Sequence, residues 1–313
     1  MLSSDELNDP QRAKLLDRVR AVLVCPTCRR RLEGADRPGA IGTLRCTSCA
    51  KTAKRTESRY DFGGLSEEEE KQDWLNDLKA KAKRRLGSLY PVATEVLSPV
   101  YGDSGLDRFL ANFDLERDLV CDLGAGTRSH GGKVVCVDGY GYGNVHVRAD
   151  LASLPFADGS LSGVLSEAVL EHVPDPAAHV EEIFRVLEPG GRVHCYFPFI
   201  AAFHASPHDY TRLTLPGLRR LFHRFHIDST IVAGGPTSGL LWTFQEWLAI
   251  AGSFGSERVY RALVPLTWAL SPLKYLDKLF IRHPAAHVIA SGFAIEATKP
   301  PSAARTAAAV AVN

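Results

Sequence analysis

Four cysteines carry the plainest chemical signal in this chain. Cys25-Pro26-Thr27-Cys28 and Cys46-Thr47-Ser48-Cys49 are two CxxC pairs with seventeen residues between them, a separation that suits a four-cysteine zinc site. Each CxxC turn points two thiolates at one centre, and two such turns complete the tetrahedron that Zn2+ prefers. Arg29, Arg30 and Arg45 stand beside the sulfurs and offset their negative charge. Four protein ligands leave no open coordination position, so this zinc would be structural or would serve recognition of a partner. A module of about forty residues has a small core, and the metal would supply folding energy. Four free or redox-active cysteines are the alternative. The other three of the seven cysteines, Cys121, Cys136 and Cys195, lie in apolar runs and read as packing residues.

The second constellation is an ordered series of glycines and acids. Val120-Cys121-Asp122-Leu123-Gly124-Ala125-Gly126 is a strand running into Gly-x-Gly. Glycines there let the backbone approach a ligand at the carboxyl end of a strand, where open α/β sheets bind their ligands. Sixteen residues beyond Asp122, the run Val134–Val137 ends in Asp138, and a carboxylate in that place can accept hydrogen bonds from two ribose hydroxyls. Asp150-Leu151 follows twelve residues later, ahead of Leu154-Pro155-Phe156 and then Ser166-Glu167-Ala168-Val169-Leu170-Glu171-His172-Val173. The full Gly-x-Gly-x-x-Gly with a phosphate-facing helix is absent, which argues against NAD.

The third is a loop holding His204, Ser206, Pro207, His208, Asp209, Tyr210 and Arg212. His208 or His204 could act as a base near neutral pH, Asp209 could orient one of them, and Arg212 could grip an anionic substrate. A loop held by structural hydrogen bonds is the alternative. His172 reads as a cap or supporting residue, with a base role as its alternative.

These groups need a scaffold. The spacing predicts a polar helix over 5–20, a turn-rich zinc-ribbon-like module to residue 64, a charged helical linker over 65–116 with Trp74, Leu75 and Leu78 on one face, and a main α/β domain over 117–299. Within that domain the predicted strands are 119–123, 133–137, 145–147, 163–166, 192–197, 226–232 and 288–297, and helices fall at 175–187 and 215–224. Such alternation implies a mostly parallel sheet covered on both faces. Residues 239–284 form an apolar helical insertion with interleaved Arg and Lys, packed on the sheet or in a homodimer interface, or else a substrate lid or a peripheral membrane contact. Residues 300–313 are expected to be a disordered tail.

The Asp-Leu-Gly-x-Gly turn, Asp138, Asp150-Leu151 with Leu154-Pro155-Phe156, Glu167–Val173 and Leu187-Glu188-Pro189-Gly190-Gly191 together resemble the class I S-adenosylmethionine (SAM)-dependent methyltransferases, in the subgroup called type 11. The resemblance covers roughly 117–232. It implies a Rossmann-like sheet with SAM as cofactor. Asp122, Gly124 and Gly126 would then lie by its methionine part, Asp138 on the ribose, Asp150 on the adenine amino group with Leu151 against the ring, and Glu167 near the sulfonium or the substrate. One place departs from the family. Only Thr127–Gly132 separate the turn from the next strand, too few for a first helix, and Arg128 or His130 is left to meet the SAM carboxylate. The N-terminal module is similar to the small zinc domain of some methyltransferases, including ribosomal RNA guanine methyltransferases, in which the last ligand is usually His rather than Cys49.

Net charge is +1, with 45% hydrophobic and 23% charged residues, as in ordinary globular proteins. Pro10–Arg59 alone carry thirteen Lys/Arg against four Asp/Glu, a basic balance that suits an anionic partner such as RNA or a lipid headgroup, or simply a solvated face. The polar N-terminus and the lack of a long apolar stretch lead to the expectation of a cytoplasmic protein, in peripheral contact with the membrane if 239–284 lies on it. Three functions stay open: O-methylation of a small-molecule, glycan or lipid-linked acceptor; RNA-directed N-methylation guided by the zinc module; and a catalytically silent SAM-binding partner protein.

Overall fold

The structure, a computed structural model, describes residues 10–34, 39–65, 78, 81–82, 84–204 and 208–301. Residues 66–77, 79–80 and 83 of the expected linker, with Trp74 and Leu75, therefore lie outside the described residues, as does nearly all of the expected tail.

The chain opens with α1 (Pro10–Val22), whose Leu15, Leu16 and Val19 are buried. Short antiparallel strands follow: β1 (Leu32–Glu33), β2 (Gly42–Cys46), β3 (Thr52–Arg55) and β4 (Tyr60–Asp61). After α2 (Tyr90–Leu97) and α3 (Leu106–Leu110) come β5 (Val120–Leu123) and β6 (Val135–Asp138), buried at every position as strands covered on both faces must be. Then follow β7 (Val147–Arg148), β8 (Leu161–Glu167), α4 (Pro176–Val186), β9 (Leu187–Pro198), α5 (Leu215–Leu221), β10 (His226–Gly234) and, after the insertion, β11 (Gly292–Thr298). Asp175 caps α4 by accepting from the N–H groups of Ala177 and Ala178. The short link Thr127–Gly132 forms turns and no helix, as its length dictated.

Among the described residues these strands form one sheet in the order β1-β2-β3-β4-β7-β6-β5-β8-β9-β11-β10. From β7 to β9 the pairings are parallel, and β11 runs antiparallel between β9 and β10. The cysteine module continues this sheet: Tyr60 and Asp61 pair in parallel with Val147 and Arg148. Leu16, Leu32, Leu44 and Tyr60 of the module share one apolar core with Cys121, Val137 and Val147. The expected last strand over 288–297 begins later, because Ala286–Val288 form a short 3-10 turn.

The insertion is helical, with α6 (Pro236–Gly252), α7 (Glu257–Thr267), a 3-10 stretch over Trp268–Leu276 and α8 (Asp277–Phe280). Buried Asp277 fastens it: its carboxylate accepts from Thr237 N at 2.7 Å, Ser238 N at 2.8 Å and Ser238 Oγ at 2.6 Å, a charge at the N-terminus of α6. Any Cβ at Gly235 would meet that carboxylate at 2.1 Å. Buried Lys274 donates to the carbonyls of Glu95 and Ser98 and ties α2 to the insertion. The outer side shows Trp247, Ile250, Phe254, Leu266 and Leu279, each more than half exposed. Among the described residues no helix is long and apolar enough to cross a membrane.

Candidate active site and metal centre

The cysteine sulfurs converge. Cys25 and Cys49 Sγ lie 3.5 Å apart, Cys28 and Cys46 3.3 Å, and Cys28 and Cys49 3.6 Å. A tetrahedron of Zn–S bonds requires about 3.8 Å between sulfurs, so the four residues fit the ion with a small outward shift. The N–H groups of Cys49 and Ser48 face the Cys46 sulfur and draw its pKa down to about 6, while the crowding of the other sulfurs pushes Cys49 up to about 12, so the four thiols share their protons unevenly. Arg29, between the two cysteine pairs, does more than balance charge. Its Nη1 donates to Leu154 O at 2.7 Å and its Nη2 to both Glu182 oxygens at 3.0 Å. Val24 N→Pro155 O at 3.0 Å and Ser153 Oγ→Pro26 O at 2.8 Å complete this docking.

The main cleft opens at the carboxyl ends of β5 and β6, with a volume of about 750 Å³. Gly124 and Gly126 both have positive φ. A Cβ at Gly124 would strike Val169 Cγ2 at 2.5 Å, whereas Gly126 faces open space. Asp138 is 7% exposed, and its Oδ2 and Oδ1 accept from Gly126 N and Tyr140 N, each at 2.8 Å. Its carboxylate thereby holds the glycine turn and faces the cleft together with Asp150 and Leu151. The module supplies the opposite wall through Pro26, Thr27, Lys51 and Phe62. These features fit SAM: a backbone floor that no side chain fills, an acid at the end of β6, and an acid beside an apolar residue further along.

Two predicted residues stand elsewhere. Asp122 is fully buried outside the cleft lining; Arg128 Nη1 at 3.1 Å and His130 Nε2 at 2.8 Å both turn inward to it. Arg128 and His130, expected to meet the SAM carboxylate, thus brace the shortened turn from below. Glu167 also faces away: its Oε1 lies 2.7 Å from buried His194 Nε2, and its Oε2 accepts from Ser104 Oγ at 3.2 Å.

The histidine loop divides. Asp209 is tied to Arg212 by a two-pronged ion pair and accepts from His204 N at 3.0 Å. Burial would raise its pKa, but the Arg212 guanidinium outweighs that and holds the carboxyl below its usual range. The His208 ring is directed to Tyr210, outside the cleft lining, while its carbonyl accepts from His172 Nδ1 at 2.6 Å. His204 instead reaches inward. Its Nε2 lies 3.6 Å from Glu171 Oε1, and the His172 Nε2 lies 3.7 Å from the same oxygen. The His204 ring also lies against Trp242 of α6, tilted by 36° at 5.2 Å between centroids. His172 lines the cleft, and Ala168, just before this turn, holds a strained φ of 57°. Glu171, named in the sequence only as part of the run Ser166–Val173, is the group that these rings surround. The signal was an acid beside a histidine just past a central strand.

Residues 125–195 match the family described as a methyltransferase domain. An uncharacterized methyltransferase of Mycobacterium sp. (strain KMS) is 55% identical over 49 residues, 16% of this chain and 19% of that protein. The arsenite methyltransferase of Aquipseudomonas alcaligenes is 39% identical over 124 residues, 38% of this chain and 31% of its own. The structure of Haemonchus contortus phosphoethanolamine N-methyltransferase 2 with S-adenosyl-L-methionine is 18% identical and covers 58% of this chain and 49% of that one, at a TM-score of 0.36. The matches span about a fifth of the length of the first of these curated relatives. Over residues 125–195 this chain carries a methyltransferase domain, whose strands β6, β7, β8 and β9 lie in the one sheet.

Proposed function

We propose that the protein methylates an oxygen of a small-molecule, glycan or lipid-linked acceptor, with SAM held by Gly124, Gly126, Asp138, Asp150 and Leu151. The observation that carries this reading is the single cleft in which the glycine turn and two acids share a wall with His172, itself backed by Glu171 and His204. When bound, SAM supplies an already activated methyl group, so the protein's work is alignment and removal of the acceptor's proton. Glu171, His172 and His204 are the groups placed to lower the cost of losing that proton. His208 and Asp209 act on the predicted loop as supports: one fixes His172 through its carbonyl, the other fixes the His204 backbone. The exposed apolar face of the insertion, joined to the site through Trp242, favours an acceptor with an apolar portion or a membrane-bound one.

RNA-directed methylation is less favoured because part of the module's positive charge is turned inward, while Arg30, Arg31, Arg45, Lys51 and Lys54 stay exposed. Arg12 donates to the carbonyls of Ser58, Gly143 and Val145, Arg18 to those of Leu115, Arg117 and Asp118, and Arg20 to Leu32 and Gly34. Guanidinium groups spent on backbone carbonyls offer little to phosphates.

Calorimetry with SAM should show binding that Asp138→Asn weakens at least tenfold, about 1.4 kcal/mol, since an amide would set an N–H against the donors of Gly126 and Tyr140. Labelled SAM incubated with fractionated metabolites, lipids and RNA should mark an alkali-resistant ether or an ester in the first two. Absence of SAM binding would overturn the cofactor assignment, and label confined to RNA the acceptor class.

A further inference from the structure

We infer that Glu171, His172 and His204 form a second metal site, distinct from the cysteine centre, that takes one divalent cation of the Zn2+, Mn2+ or Fe2+ kind. The convergence of one carboxylate oxygen and two ring nitrogens between β8 and the loop after β9 makes the site: these ligand atoms all lie within 4.8 Å of one another. Oxygen and nitrogen ligands around an ion of this class stand about 3.0–3.4 Å apart, as bond lengths of about 2.1 Å require. The two Nε2 atoms lie 3.7 and 3.6 Å from Glu171 Oε1, within a small contraction of that spacing.

Glu171 points to a cation independently. Its side chain is fully buried, and neither oxygen has a hydrogen-bond partner among the described residues. A buried carboxylate without a partner is among the costliest groups a fold can hold. The histidines are prepared as ligands. His172 Nδ1 stands 2.6 Å from the carbonyl of His208, and His204 Nδ1 3.1 Å from that of Ala202. Carbonyls only accept, so the His172 ring carries its proton on Nδ1, while His204 Nδ1 lies between the Ala202 carbonyl and Arg212 Nη2 at 3.2 Å. The Arg212 guanidinium near His204 Nδ1 is already engaged with Asp209. The His172 Nε2 lone pair is therefore turned toward Glu171, and His204 Nε2 lies 3.6 Å from the same oxygen. A backbone or carboxylate partner on the far nitrogen is the arrangement that fixes a metal-binding histidine in orientation and tautomer. The ring planes meet at 89°, so the two Nε2 atoms approach one centre from different directions.

Two nitrogens and one carboxylate suit borderline divalent metals better than Ca2+ or Mg2+. Three protein ligands leave open positions, in contrast to the closed four-thiolate centre. Since His172 lines the cleft, those positions face the acceptor, where an ion would draw a hydroxyl oxygen close and favour loss of its proton. That use rests on the methyl-transfer reading above; the presence of the ion does not.

The test is a metal count on the full chain after equilibration with micromolar Zn2+ or Mn2+ and removal of free ion, by plasma mass spectrometry. The wild-type protein should hold two equivalents with Zn2+ in both centres. Glu171→Gln, isosteric at a side chain that makes no hydrogen bond, should hold one, and His204→Asn should fall to one as well. Circular dichroism confirms that each variant is folded, and the wild-type count stands by itself if one is not. A wild-type count of one, or a count of two that survives Glu171→Gln, overturns the site. SAM calorimetry on the same samples reports separately on the cofactor assignment.

Discussion

Arg29 joins the cysteine centre to the rim of the cleft, and its removal tests whether the two act as one body. Replacement by Ala deletes the bond to Leu154 O at 2.7 Å and the fork onto Glu182 at 3.0 Å. Charge-assisted bonds of this kind contribute about 1.5–3 kcal/mol each where one partner is left bare. Glu182 is not left bare: Arg185 reaches both its oxygens at 2.8 Å and Leu154 N donates at 2.9 Å. Arg29 itself is 33% exposed, so water recovers part of the loss. Arg29→Ala should therefore cost about 2 kcal/mol, a shift of about 0.7 M in the urea midpoint for a slope near 3 kcal/mol/M. The backbone adds a control. Arg29 sits at φ 60°, in the left-handed region, where a residue with a Cβ costs about 1 kcal/mol more than glycine. Arg29→Gly loses the same side chain and relieves that strain, so it should be about 1 kcal/mol more stable than Arg29→Ala. Equilibrium urea unfolding with both variants, and a double-mutant cycle with Glu182→Gln, measures these terms. A loss below about 0.5 kcal/mol for Arg29→Ala, or a glycine variant less stable than the alanine one, would refute the reasoning that this arginine locks the module to the sheet.

Gly124→Ala should cost about 2–4 kcal/mol in thermal or urea unfolding, from left-handed strain and overpacking against Val169 together, and adding Val169→Ala should restore part of the loss, because Val169 Cγ2 is the atom met at 2.5 Å; no rescue would mean that strain alone is responsible. Acid should weaken the fold through two buried histidines. Burial lowers the His146 pKa from 6.5 to about 3 and lowers that of His179 as well. Their stability contribution is thus complete above pH 6.5 and is lost as pH falls, because the unfolded chain takes up protons that the fold refuses. The slope should approach about 1.4 kcal/mol per pH unit for each histidine, down to about pH 3 for His146. Urea midpoints measured between pH 7.5 and 5 should fall accordingly and fall less in His146→Gln, and a flat profile would show that neither ring stays neutral.

Local patterns determined much of this protein. Periodicity and glycine placement located the central strands and the helix over 175–187, because a strand buried on both faces must be apolar along its length. The two CxxC pairs marked their cluster by spacing, since two short turns suffice to aim four sulfurs at one centre. The gap Thr127–Gly132 was too short for a helix, and none forms. Tertiary structure decided the rest. That the cysteine module continues the main sheet through Tyr60 and Val147 depends on a pairing across 87 residues, which two-residue strands do not announce. That Asp122 and Glu167 spend their charge on Arg128, His130 and His194 depends on which face of each strand those partners reach. The same holds for the histidine loop. Sequence order suggested that His208, His204 and Asp209 act together, yet Arg212 claims the carboxylate, and His204 finds its partners 32 and 33 residues back, at His172 and Glu171. Residue types fix what chemistry a group can do; which groups share a centre is set by side-chain directions and burial that only the packed sheet defines.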